Sequence, residues 1–133
     1  MKIVLDQQTL HNIALFQKIT HVPVIDCIEN EVSVYFIIRQ GCKPFVERCG
    51  GKLMILQKKF KKKVVVVEFN EDVVKFVKNL VPESQEVTIE NKEVRIRVSK
   101  YDKPKVIGKD KRNLKVIQSF LNRLFDIESV KII

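Results

Sequence analysis

The hydrophobic pattern of this chain runs through one plan twice, and no other feature limits the fold as tightly. In residues 1–69 a helix is predicted over 7–20, with Asp6 as its cap. The stretches "HVPVIDCIEN" and "EVSVYFII" read as two strands joined at Glu29-Asn30-Glu31. A Gly/Pro interruption follows, "RQGCKPFVERCGG". In "KLMILQKKF" the residues Leu53, Leu56 and Phe60 fall on one helical face, and "KVVVVEF" closes the half as a strand. Residues 70–133 then begin again. Asn70 is the expected cap of a helix over "EDVVKFVKNLV", which stops before Pro82. "EVTIE" and "KEVRIRVS" are strands meeting at Asn91-Lys92. In the second, Val94, Ile96 and Val98 alternate with Arg95 and Arg97. "KPKVI" is a short helical turn with Pro104 at its start. A helix over about 111–125 carries Leu114, Ile117, Leu121 and Leu124 on one side, and "ESVKII" is the last strand.

Each half is therefore helix, two strands, short helix, loop, helix, strand. The class is α/β (α+β), with a three-stranded sheet packed on helices in each half. About 65 residues bury barely enough surface to stand alone, and no Gly/Ser linker separates the halves. The sequence predicts two units rigidly docked, and for the four valines Val64–Val67 a strand covered on both faces.

Charge narrows the partners. The net charge is +9, from 25 basic and 16 acidic residues, a balance that favours polyanions. Residues 92–123 hold eleven Lys/Arg against three acids, which leaves +8. A second run, Lys58 to Lys63 around Phe60, reads as a solvated face. Three cysteines without a C-x-x-C pair support neither a disulfide framework nor a zinc site, so no metal or cofactor is expected. His11 and His21 have no nucleophile at a recognisable spacing, and both common phosphate-binding glycine motifs are absent, so no catalysis is expected. No apolar run reaches the ~18 residues of a membrane span. Asp6 cuts short the only apolar N-terminal stretch, so the chain reads as cytoplasmic, without a membrane partner.

The segment "VIGKDKRNL", 106–114, is where chemistry concentrates. Gly108 sits between a short helix ending at Ile107 and a longer one starting near Lys111, where positive φ or a close backbone approach is needed. A helix start offers free N–H groups and a partial positive charge, hence a site for an anion. Lys109, Lys111, Arg112 and Lys115 crowd it with cations, and Asp110 adds one local negative charge. A nucleic-acid phosphate fits this arrangement; so does a tight helix–helix turn with solvated cations. The Arg95/Arg97 strand face and the repeat favour the phosphate.

At these residues the chain resembles a family. The order α-β-β-α-loop-α-β is that of the type II KH fold. The segments "LFQKITHVPVIDC" (15–27), "VERCGGK" (46–52), "KKVVVVEFNED" (62–72) and "VIGKDKRNLK…FDIESV" (106–130) are similar in order and spacing to "LFESITGA.V.DC", "IGKGGSN", "KKVEVVEYSED" and "AIGKGGRNIK…F.I..V" of archaeal NusA proteins. The resemblance implies two tandem type II KH domains, αββααβ twice, over 1–69 and 70–133. It implies a Gly-x-x-Gly loop in each that clamps single-stranded RNA, and action on nascent RNA beside RNA polymerase. In this reading the RNA-contacting residues are Ile107, Gly108, Lys109, Asp110, Lys111, Arg112, Asn113, Lys115, Arg95 and Arg97 in the second unit. In the first they are Arg48, Cys49, Gly50, Gly51 and Lys52. Val106, Ile107, Leu114, Val46 and Leu53 are the aliphatic residues expected beside the bases. A monomer is the expected state.

Both loops depart from the family pattern. Aligned without gaps, the first reads Glu47-Arg48-Cys49-Gly50, with a glutamate for the leading glycine. The second reads Gly108-Lys109-Asp110-Lys111, with a lysine for the closing one. The alternative is a degenerate KH scaffold turned to protein contacts with polymerase or ribosomal partners.

Overall fold

The computed structural model describes residues 6–133; Met1–Leu5, on which the reading of the N-terminal stretch rests, lie outside the described residues. The described residues part into two compact units between Phe69 and Asn70.

In the first unit α1 (Gln7–Thr20) starts where expected, because the Asp6 carboxylate accepts a hydrogen bond from the Thr9 N–H at 2.7 Å. It ends at His21 in the left-handed conformation. β1 (Val24–Glu29) and β2 (Ser33–Ile38) pair antiparallel. Asn30 makes their turn: its Oδ1 accepts from the N–H groups of Val32 and Ser33 at 3.0 and 2.8 Å. The crossover to β3 (Lys63–Glu68), which runs parallel to β2, carries α2 (Lys43–Glu47) and α3 (Gly50–Phe60). Phe16 and Phe36 stack at 4.3 Å in a core shared with Val22, Val34, Ile38 and Leu56. The thiols are free, with Cys27 buried and Cys42 and Cys49 half-buried.

The valine strand differs from expectation. β3 is at the edge of the β1-β2-β3 sheet, and Val64, Val65 and Val66 are only half-buried; Val67 alone is buried. β2 is its one paired neighbour among the described residues, and burial of both faces would require layers packed on each side of the sheet, which the half-buried valines do not have in full. The lysine run is also not uniform. Lys62 bonds to Glu29 at 2.7 Å, and Glu29 accepts from the buried Asn12 at 3.1 Å. That chain of contacts ties α1 to the sheet.

The second unit repeats the plan with α4 (Val73–Leu80), β4 (Glu86–Glu90), β5 (Glu93–Arg97), α5 (Lys103–Ile107), a single 3₁₀ turn at Lys109–Lys111, α6 (Arg112–Phe125) and β6 (Ser129–Ile132). β5 is central, antiparallel to β4 and parallel to β6. Asn91 and Lys92, at φ 51° and 62°, form the two-residue hairpin turn whose twist suits the strands. Two helix starts move. Asn70 is not the cap of α4: its Oδ1 accepts from the Asp72 N–H, and Asp72 in turn caps the helix by accepting from Val74 at 2.9 Å. The helix therefore begins at Val73, two residues after the expected Glu71. The last helix begins at Arg112, since Lys111 is left-handed.

The fold makes two expectations. Phe36→Ala should cost about 3–5 kcal/mol, the usual loss for a fully buried aromatic, read as a lowered urea midpoint. On the outer face of the second sheet, the hydrogen bond from Arg95, helped by Lys131, holds the Glu93 carboxyl below its usual 4.5. A depressed carboxyl stabilises the fold above its unfolded value, and that contribution disappears as pH falls through the folded one. Thermal melts should therefore show a steeper loss of stability below pH 4.5 in the wild type than in Glu93→Gln.

Candidate nucleic-acid interface

The turn between α5 and α6 is opened by three residues at positive φ. Gly108 has φ 77° and ψ 168°, Asp110 φ 56° and ψ 29°, and Lys111 φ 61° and ψ 24°. The first pair of angles is a region that only glycine enters freely. Space makes the same demand: a Cβ on Gly108 would lie 2.9 Å from Asn113 Nδ2 and 3.1 Å from Arg112 Cγ. Asn113 is held there because its Nδ2 donates to the Lys105 carbonyl at 3.0 Å, strapping the end of α5 to the start of α6. Asp110 and Lys111 align with two glycines of the family motif, and both are left-handed. Asp tolerates this through its short polar side chain; lysine has no such compensation.

The turn's amides are partly committed. Gly108 N–H bonds to the Pro104 carbonyl at 2.8 Å and Lys111 N–H to the Gly108 carbonyl at 3.1 Å. Arg112 N–H bonds to Lys109 O. The N–H groups of Lys109 and Asp110 stand outside these bonds. No side chain caps α6. Lys109, Asp110, Lys111 and Lys115 are exposed, and Arg112, Asn113 and Ile107 half-buried. Among the described residues, none of Lys109, Lys111 and Lys115 is in an ion pair.

Arg95 and Arg97 are not brought to this turn. They alternate with the buried Val94 and Ile96, so they lie on the sheet face turned away from the core. Each faces a carboxylate there: Arg95 meets Glu93 at 3.1 Å and Arg97 meets Glu86 at 3.7 Å. Lys92 and Lys105 also have acidic neighbours, in Asp126 at 3.3 Å and Glu83 at 4.0 Å. Much of the basic excess of this unit is thus balanced away from the loop.

The corresponding turn of the first unit is closed. Arg48 and Cys49 have φ −68° and −100°, and their N–H groups bond back to Pro44 and Val46. Leu53 N–H bonds to Cys49 O at 3.0 Å, so α2 passes into α3 with scarcely a break. Gly50 and Gly51 begin α3 at ordinary helical angles, and a Cβ on either would meet nothing within 4 Å. Arg48 lies over the exposed ring of Phe45, 5.5 Å from its centre, and Lys52 is exposed. Of the aliphatic residues expected beside bases, Val46 and Val106 are buried core; Leu53, Ile107 and Leu114 are half-buried. Tyr101, which the sequence patterns did not single out, is 93% exposed. Its signal was a lone aromatic between Lys100 and Lys103, without hydrophobic periodicity to assign it to a core.

Among the described residues no helix is long and apolar enough to cross a membrane, and no group of three or more His, Cys, Asp or Glu could hold a metal ion. Two αββααβ units, each a mixed three-stranded sheet packed on helices with a turn at the start of the longer crossover helix, define a tandem KH-type protein. No family model matches the chain. The chain is 28% identical over 138 residues to the probable transcription termination protein NusA of Thermoplasma acidophilum, spanning 98% of this chain and 96% of that protein. It is 28% identical over 139 residues to the protein of the same description from Methanocaldococcus jannaschii, spanning 99% and 76%. The crystal structure of APE1850 matches with a TM-score of 0.73 and 31% identity, over 97% of this chain and all of that one. The chain belongs to the archaeal NusA-like family.

The backbone of the turn predicts opposite effects at two neighbouring positions. Lys111→Gly should raise stability by about 0.5–1 kcal/mol, because the relief of a left-handed side chain outweighs the added freedom of the unfolded chain. Gly108→Ala should lower it by about 1–3 kcal/mol. Urea unfolding of the two variants checks both.

Proposed function

We propose that this chain is a non-catalytic, RNA-binding transcription termination/antitermination factor that holds the backbone of single-stranded RNA at the turn of its second unit. The observation that carries the reading is the open turn itself. Three positive-φ residues leave the amides of Lys109 and Asp110 outside the turn's own bonds, at an uncapped helix start beside Lys109, Lys111 and Lys115. A phosphate there gains the helix-end charge and three lysines. Phosphate contacts set register, and half-buried Ile107 and Leu114 give the bases an aliphatic edge to rest on. The description of the relatives as probable transcription termination proteins supports nascent RNA beside RNA polymerase as the setting.

A second reading concerns the first unit. Its closed turn, with Glu47 in place of a glycine, has no opened backbone to receive a phosphate. Phe45, Met54 and Ile55 on the adjoining helices are more than half exposed. Such a surface suits a protein partner, such as polymerase or a ribosomal protein, better than a polyanion.

Titration of the full chain with a single-stranded RNA at several salt concentrations tests the first reading. About four neutralised phosphates predict log K falling with log salt at a slope near −3. Lys109→Asp/Lys111→Asp should weaken binding and flatten the slope by about 1 or more while circular dichroism stays native. Unchanged affinity in that folded variant would refute the loop assignment.

A further inference from the structure

We propose that Tyr101 is a stacking platform for one RNA base, extending the binding surface from the Gly108 turn to the opposite end of α5. The inference rests on the reading of that turn as the phosphate site, and it adds a contact of different chemistry. The other aromatic residues of the second unit are packed: Phe76 and Phe120 are buried, and Phe125 lies against Phe76 with ring centres 5.3 Å apart. Tyr101 alone among them stands out, 93% exposed. A large apolar ring left in water contributes nothing to the fold, since burial is what makes aromatic residues stabilising.

The ring is nonetheless presented on a fixed base. The turn beneath it is held by four hydrogen bonds between Ser99 and the start of α5. Ser99 Oγ donates to Asp102 Oδ2 at 2.9 Å, and Asp102 N–H is shared between Ser99 Oγ and Ser99 O, each at 3.1 Å. Lys103 N–H bonds to Ser99 O at 3.0 Å. An exposed side chain on a rigid turn loses less freedom on binding than one on a mobile loop. Lys100 and Lys103 flank it, both exposed and, among the described residues, outside any ion pair. The surroundings therefore offer a π face with cations on either side, the pairing that single-stranded nucleic acid recognises. α5 connects the two places directly. Tyr101 precedes the helix and Gly108 ends it, a separation of about 10 Å along the helix axis. That distance is within the reach of the roughly four nucleotides a KH loop holds.

The chain contains no tryptophan, so Tyr101→Trp introduces a single reporter at the proposed platform. Full-length wild type, Tyr101→Ala, Tyr101→Phe and Tyr101→Trp would be titrated with a short mixed-sequence single-stranded RNA and with an abasic strand of the same length. Stacking predicts about tenfold weaker RNA binding for Tyr101→Ala, an unchanged salt slope because no charge is altered, and near-wild-type binding for Tyr101→Phe. It also predicts that the indole emission of the Tyr101→Trp variant is quenched by RNA with the same midpoint as binding, and not by the abasic strand. Wild-type affinity in Tyr101→Ala, or indole emission unmoved at RNA saturation, would overturn the platform while leaving the Gly108 turn standing. Absence of RNA binding in the wild type would bring down both.

Discussion

A three-stranded sheet with one apolar face has to be roofed on that side, and its parallel strand pair has to be joined by a crossover. Both demands fall on the same segment. In the second unit the parallel partners β5 and β6 are linked by α5 and α6, which bring Val106, Val116, Ile117 and Phe120 into the core. In this unit the two helices meet at a sharp turn over Gly108–Lys111. The turn must sit at a helix start, where backbone N–H groups lack partners. The turn proposed to hold RNA thus lies in the same segment that closes the fold.

The two units answer that demand differently. In the first, helical backbone runs almost unbroken from α2 into α3, and Arg48 and Cys49 commit their N–H groups to carbonyls one turn back. In the second, Gly108 leaves the helical region, and Asp110 and Lys111 follow in left-handed geometry. Placing a lysine there costs about 1–2 kcal/mol, while Asp110 is tolerated through its short polar side chain. Strain kept at one turn and absent from its counterpart supports the proposal that the former holds the RNA backbone. The glycines of the first unit's turn are open around and unstrained.

Electrostatics sharpen the contrast. A count of charges along the sequence spreads the basic excess over residues 92–123. The fold sorts it: Lys92, Arg95, Arg97 and Lys105 face carboxylates, while Lys109, Lys111 and Lys115 surround an uncapped helix start. Exposed ion pairs of the first kind contribute little to stability, but they neutralise field that would otherwise draw polyanions to the wrong face. Lys62 shows the same sorting in the first unit, removed from its lysine run to bond with Glu29.

The repeat, the order and nature of the elements, and the need for glycine at 108 are all legible along the chain. These are local: hydrophobic period, proline and glycine placement, and short-range turn chemistry act within a few residues of one another. The loop at 106–114 also stands out in one dimension, since helix starts and clustered cations are visible there. The linear order does not say which of Asn70 and Asp72 caps α4, because both are competent and the seating of the helix chooses. Nor does it show that the valine strand lies at an edge, that Arg95 and Arg97 meet Glu93 and Glu86 on the outer face the alternation predicts for them, or that one turn is open and the other closed. Those outcomes depend on which strand pairs with which and on where each carbonyl finds its donor. The strand pairings and the Arg97–Glu86 contact join residues far apart in sequence. The cap and the two turns rest on bonds within four residues, but the residue pattern offers more than one such set of bonds and does not choose between them.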